Sequence, residues 1–197
     1  LANSWTQTGS LALSTSGDSI IVYCKPLDSS YNFLAAVTFD GAWIGTQFDS
    51  NNSGLPPDLK GANTALAHRD NYMYTGSREG TKEDLVSAIA KSSNWIGSNS
   101  VQSYEYQSFS VSSEIVSCQD LSTGDIQLIG IHSDSPDEIA LVALEDIPSG
   151  LEIFLTDDGW IGSGFRETEG TAKVCSGNSL LSRICFVIIK HSFVSYL

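Results

Sequence analysis

Two stretches of this chain start alike and continue alike: LSTSGDSIIVY at residues 13–23 and LSTGDIQLIGI at 121–131. Each enters a short β-prone apolar run through a Gly-Asp turn, a place where glycine takes a backbone conformation that other residues resist. A polar turn and a second apolar run follow each, LAAVTF in the first case and LVALEDI in the second. Then DGAWIGTQF at 40–48 matches DDGWIGSGF at 157–165, with Phe48 and Phe165 each five residues after the tryptophan. The second copy carries an extra hairpin-sized segment, PSGLEIFLT, between strand and tryptophan. Three landmarks in one order read as an internal pseudo-repeat. The competing reading is chance resemblance between β-strands flanked by Gly-Asp turns.

The remaining punctuation is that of a β protein. Ser19 to Cys24, DIQLIGI, EIALVALEDI and LEIFLTDDGW are short runs closed by turn residues, with no helical period between them, so the sheets should be antiparallel. Ile126 and Leu128, and again Leu151, Ile153 and Leu155, alternate as strands with one buried and one solvated face do. In DIPSG, Pro148 fixes φ and Gly150 is free to take a positive one. The one helix signal is TKEDLVSAIAK. There Thr81 caps with Asp84 three residues on, Leu85, Val86 and Ile89 make a stripe, and Lys91 closes the last turn. Trp95 follows that helix and is placed to anchor it. Pro56-Pro57 and its neighbours make the segment from 46 to 68 a long loop. The expected fold is therefore mainly β: antiparallel, sandwich-like sheets with one short helix at about 82–91 and two pseudo-repeated halves. The units are residues 1–112, with the helix, and 113–174, with 175–197 as an off-pattern C-terminal strand or tail.

The chain has 197 residues and a net charge of −13. Without a pool of lysine and arginine it is not built to neutralise nucleic-acid phosphates. The apolar C-terminal run is broken by Arg183, Lys190 and His191, too short to span a bilayer. Cys24, Cys118, Cys175 and Cys185 lack zinc spacing, and Cys24 and Cys118 read as buried free thiols. The chain begins at Leu1 without a leader, as a fragment or after removal of a targeting segment would.

No complete catalytic motif is present. The acids from Asp134 to Asp158 are oxygen ligands of the kind calcium takes, with Asp157, Asp158, Asp134 and Asp137 the candidates; the alternative is that they form turns and solvated strand ends. Calcium is the one cofactor this chemistry would admit. His132, beside Ser133 and Asp134, invites a hydrolase, but no nucleophile elbow accompanies it. Three tryptophans, Trp43, Trp95 and Trp160, are each followed by Ile-Gly. The tripeptide reads as an aromatic plug at a turn, with Phe48 and Phe165 packed behind two of them.

Residues 124–171 carry Asp125 after its glycine, Asp146 to Gly150 as Asp-Ile-Pro-Ser-Gly, Thr156 to Trp160 as Thr-Asp-Asp-Gly-Trp, and Glu169 to Thr171 as Glu-Gly-Thr. That pattern resembles a β-rich repeat module of large secreted or cell-surface bacterial proteins. Residues 9–97 resemble its other half, so the order implies either a cut across two tandem copies or a permuted unit. The chain also resembles the pyrenoid shell proteins of diatoms, β-rich proteins with two related halves that assemble into sheets around Rubisco. Neither resemblance brings catalytic residues. Both imply a non-enzymatic structural module, with itself or other surface proteins as partner and a place at the cell surface, outside the cell or in a plastid. The alternative is an extracellular adhesive or ligand-binding module assisted by calcium at its acidic loops, and a hydrolase comes third.

Overall fold

A computed structural model describes residues 6–25, 30–46, 49, 51–100, 107–111, 121–134, 137–147, 150–175, 185–189 and 193–195. The strands are β1 (Thr6–Ser10), β2 (Ser19–Cys24), β3 (Asn32–Thr38), β4 (Asn63–Ala65), β5 (Asn71–Tyr74), β6 (Glu79–Gly80), β7 (Trp95–Ser98) and β8 (Ser110–Val111). They continue as β9 (Ile126–His132), β10 (Glu138–Ala143), β11 (Glu152–Thr156), β12 (Thr171–Cys175), β13 (Cys185–Ile189) and β14 (Phe193–Ser195). The helix α1 spans Lys82–Ile89, between β6 and β7. Two six-stranded sheets result, in the orders β1-β12-β11-β2-β3-β4 and β14-β13-β10-β9-β5-β7, with β6 and β8 as a separate pair. All pairings are antiparallel except β3 with β4 and β6 with β8. The fold is thus mainly β with one short helix among the described residues, as the turn-punctuated runs require.

Each matched turn does the same job. Gly17 and Gly124 both stand at φ +98. The carboxylates of Asp18 and Asp125 accept the N–H groups of Ser14 and Ser122. Their carbonyls accept the N–H of Phe39 (2.9 Å) and of Leu144 (2.8 Å), closing the far end of the β2–β3 and β9–β10 hairpins. Beyond the turns the two hairpins exchange partners. On its free side β2 pairs with β11, while β9 pairs with β5, so neither sheet is built from one stretch of the chain alone. The boundary expected at residues 112 and 113 lies outside the described residues. Within 175–197, β13 pairs with β10 and β14 with β13.

The core lies between the sheets, where Ile20, Val22, Leu34, Val37, Ile126, Leu128, Ile131, Ile153 and Leu155 are buried. Burying such side chains stabilises the fold by about 1.5–3 kcal/mol each. The alternation expected of β9 fails: all seven of its residues are buried, Gln127 included. Its two faces are both covered, as in the central strand of a layered sheet. β11 keeps the alternation, with Glu152 exposed and Ile153 and Leu155 buried.

Thr81 caps α1 through its hydroxyl, which accepts the Asp84 N–H (3.2 Å) and donates to the Asp84 carboxylate (3.0 Å). The helix stops at Ile89, before Lys91, and side chains beyond it complete its last carbonyls. Asn94 Nδ2 donates to Ala88 O and Trp95 Nε1 to Ile89 O, both at 2.8 Å, meeting acceptors that a helix end leaves open. From the first turn Lys82 pairs with buried Asp125 and lies 3.9 Å from Glu145. The helix thereby neutralises one of the two matched turns. Replacing Lys82 by methionine should cost about 2–4 kcal/mol in urea unfolding, because it leaves Asp125 buried beside Glu145 without its cation. A loss below about 0.5 kcal/mol, ordinary for a surface site, would assign the pair no structural role.

Candidate functional site

The Trp-Ile-Gly tripeptides divide their residues between inside and outside. In β7, Trp95 faces inward and meets Tyr74 edge-on at 5.8 Å. Its neighbour Ile96 falls on the other face by the two-residue period of a strand, opposite Met73. Trp160 is held through its backbone: its N–H donates to Ser53 Oγ and its carbonyl accepts from the Gly54 N–H, both at 2.7 Å. Ile161 then starts a tight turn, donating to Gly164 O at 2.9 Å, with Gly162 at φ +94. Trp95 and Trp160 are 7% and 6% exposed, Ile96 and Ile161 57% and 41%. Among the described residues these two isoleucines are the exposed large hydrophobics. Trp43 and Ile44 are both half-buried, and Trp43 Nε1 donates to Asn63 Oδ1 at 3.1 Å.

Trp43 and Trp160 do not occupy equivalent places in two halves. Trp43 follows β3 and Trp160 follows β11, and they converge on one loop, where Ser53 O accepts from the Ile44 N–H (3.0 Å) and Ser53 Oγ from that of Trp160. That loop closes the outer face of the first sheet. Beneath it lie Ile21, Tyr23, Phe33, Ala36, Leu59, Ala62 and Trp160, with Tyr31, Phe154 and Phe165 at the margin. Trp160 packs edge-on to Phe33 at 5.2 Å and Phe165 at 5.4 Å, and Tyr23 stacks on Phe154 at 5.4 Å. Lys25 Nζ lies over Tyr31, Phe154 and Tyr23, 5.4 to 5.9 Å from the ring centres. Phe165 packs edge-on to both Trp160 and Tyr31, while Phe48 lies outside the described residues.

Each of the four acids singled out as calcium ligands accepts hydrogen bonds from the chain itself. Asp157 Oδ2 accepts the Ala12 N–H (2.7 Å) and Asp137 Oδ2 the Leu13 N–H (3.2 Å), clamping the segment that follows β1. Asp158 accepts the Glu167 and Thr168 N–H groups and lies 3.7 Å from Arg166, which also pairs with Glu169. Asp134 accepts from Asn71 Nδ2 at 2.7 Å. Among the described residues no three His, Cys, Asp or Glu side chains form a group able to hold a metal ion. The pair Asp157–Asp158 splits because successive residues leaving a strand point to opposite sides.

His132 and Ser133 are also engaged structurally. His132 Nδ1 contacts Asp134 O at 2.8 Å and Ser133 Oγ donates to Asp70 O at 2.7 Å. A serine hydroxyl committed to a carbonyl is not poised against a base. Cys24 is a buried free thiol, its pKa raised by that burial, and Cys175 is also free; Cys118 lies outside the described residues.

The Gly-Asp turn marks Asp18 as a turn former, but no sequence motif marks its burial among other acids. Burial pushes its carboxyl up to about 8, the charge of Asp157 adding to the shift against hydrogen bonds from Ser19 and Ser14. Asp157 and Glu169 are raised as well, burial again being the first cause.

Fold and surface together define a two-sheet β protein with Trp-anchored isoleucines on its outside. No helix among the described residues is long and apolar enough to cross a membrane. Comparison with protein-family models, with curated proteins and with solved structures returned no match.

Proposed function

We propose that this chain is a non-enzymatic structural module that self-associates into a protein layer or a larger surface protein. The observation that carries the reading is the pair Ile96 and Ile161, held out in water by tryptophans sunk behind them. An exposed isoleucine fixed on a rigid backbone loses little freedom on contact and gains by leaving water. The engaged state of His132 and Ser133 supports a role without chemistry. Copies that each carry −13 repel at long range, so association should strengthen as salt screens them.

Light scattering against protein concentration tests this, at low and at about physiological ionic strength, with and without added calcium. Particle mass should rise with concentration and with salt. Ile96→Asp combined with Ile161→Asp should lower it about tenfold or more at a given concentration while leaving the melting temperature within about 2 °C. A wild-type chain that stays monomeric throughout overturns the proposal. Assembly or stabilisation that appears only with calcium would favour the adhesive, calcium-assisted module instead.

A further inference from the structure

The two longest stretches of the sequence without Asp, Glu, Lys or Arg are residues 1–17 and 92–104. The fold places an outermost strand in each: β1 ends the first sheet and β7 ends the second. Edge strands expose unpaired backbone groups, and proteins that stay apart usually guard them with lysine, proline or a bulge. Here β1 reads TQTGS and β7 reads WIGS, with neither charge nor proline.

Among the described residues no strand pairs with the outer side of β7. Thr75 N–H donates to Asn94 O at 2.8 Å, which makes that opposed pair a hydrogen-bonded one. Alternation along an antiparallel ladder then turns the N–H and C=O of Gly97, opposite Tyr72, away from β5. The two edges also lie on opposite flanks. A cleft lined by Ala65, Leu66, Trp95 and Gly97 joins the end of β4 to β7. This puts β7 on the β4 side of the sandwich, and β1 stands at the far end of the sheet that β4 closes.

We propose that the β1 edge of one copy pairs with the β7 edge of the next, so that the first sheet of each molecule continues into the second sheet of its neighbour. The inference rests on the self-association proposed above and names the surfaces that carry it. A chain with a charge of −13 can bring its backbone against a second copy only where neither surface adds to the repulsion, and these two edges meet that condition. Their lengths, five and four residues, differ by one. Because the two edges differ, the contact is head-to-tail, the kind that builds an extended ribbon or layer when its rotation does not close a ring.

Thr8 and Ile96 are exposed on the two strands, which allows a charge test. Thr8→Lys and Ile96→Glu should each keep the wild-type melting temperature within about 2 °C and each lower particle mass about tenfold. Both substitutions in one chain should restore assembly, since lysine then meets glutamate across every contact. The two single variants mixed should also assemble, alternating along the array, because the intact β7 of one meets the intact β1 of the other and lysine meets glutamate at the contact between. Sedimentation of the four samples at one concentration gives the answer. If both single variants assemble as the wild type does, the edges are not the contact, although self-association itself stands. If Ile96→Glu alone disperses the particles and Thr8→Lys changes nothing, β7 pairs with its own copy and the head-to-tail arrangement is overturned. A wild type that never assembles removes both this inference and the function it rests on.

Discussion

Stability of this protein should fall as pH rises from about 4 to about 8, with Asp18 the main cause. Its carboxyl is raised to about 8 in the folded chain and returns to an ordinary value near 3.9 on unfolding. Between those values the folded state holds a proton that the unfolded state releases. The stabilisation is therefore complete below about pH 4, is lost as pH climbs through 8, and changes no further above that. The surroundings explain the sign. Asp18 faces Asp157 and Glu169, Asp157 in turn faces Asp158, and Arg166, the one cation beside them among the described residues, pairs with Asp158 and Glu169. Asp157 and Glu169, also raised, push stability the same way. One group shifted this far corresponds to a change on the order of 3–4 kcal/mol between pH 5 and pH 8. Urea unfolding at unit steps of pH measures it. Asp18→Asn should flatten most of the slope, and it should be less stable than wild type at pH 5, where the amide cannot accept from both Ser14 and Ser19. A wild-type stability that is level or rising over this range would contradict the account.

The contrast between the two matched turns shows what the sequence can and cannot say. LSTSGD and LSTGD predict the same turn, and they make it, because a Gly-Asp turn is decided by its own few residues. Thr81 as helix cap and Trp95 as helix anchor are legible for the same reason, since each acts within a few positions of its partner. That Asp125 lies against Lys82 while Asp18 lies against other acids is set by packing between distant segments, and no local pattern records it. Strand exchange is of the same kind: Tyr23 opposite Phe154 is a pairing that period and propensity leave open. The aromatic layer on the outer face of the first sheet does have a sequence signal. SIIVYC and NFLAAVT carry almost no polar residue at alternate positions, which marks strands covered on both faces. The acidic candidates are ambiguous in sequence because oxygen ligands and backbone clamps use the same residue types. Only the direction of each carboxylate distinguishes them, and Asp157 and Asp137 turn theirs to the N–H groups of Ala12 and Leu13.

Trp160→Ala should cost about 3–5 kcal/mol of stability, the range for truncating a large buried aromatic, whereas Ile161→Ala next to it should change stability by less than about 0.5 kcal/mol. The tryptophan fills the space between Phe33, Tyr31 and Phe165 under the loop that covers the outer face. Its removal leaves a cavity ringed by three aromatic groups that cannot all close on it. Its backbone bonds to Ser53 and Gly54 survive the substitution, so the loss measures packing rather than loop attachment. Trp43, half-buried and bonded through Nε1 to Asn63, should lose only about 1–2 kcal/mol, despite standing in the same tripeptide. Chemical denaturation of the three variants gives the stabilities, and light scattering of Ile161→Ala gives its association. If the tripeptide is an anchor joined to a displayed side chain, Trp160→Ala lowers stability and Ile161→Ala lowers association alone. If Trp160→Ala unfolds at the wild-type midpoint, or Ile161→Ala destabilises as much as it does, the division between inner and outer residue is wrong. Ile161 would then belong to the core, and the surface would lose one of its two exposed isoleucines.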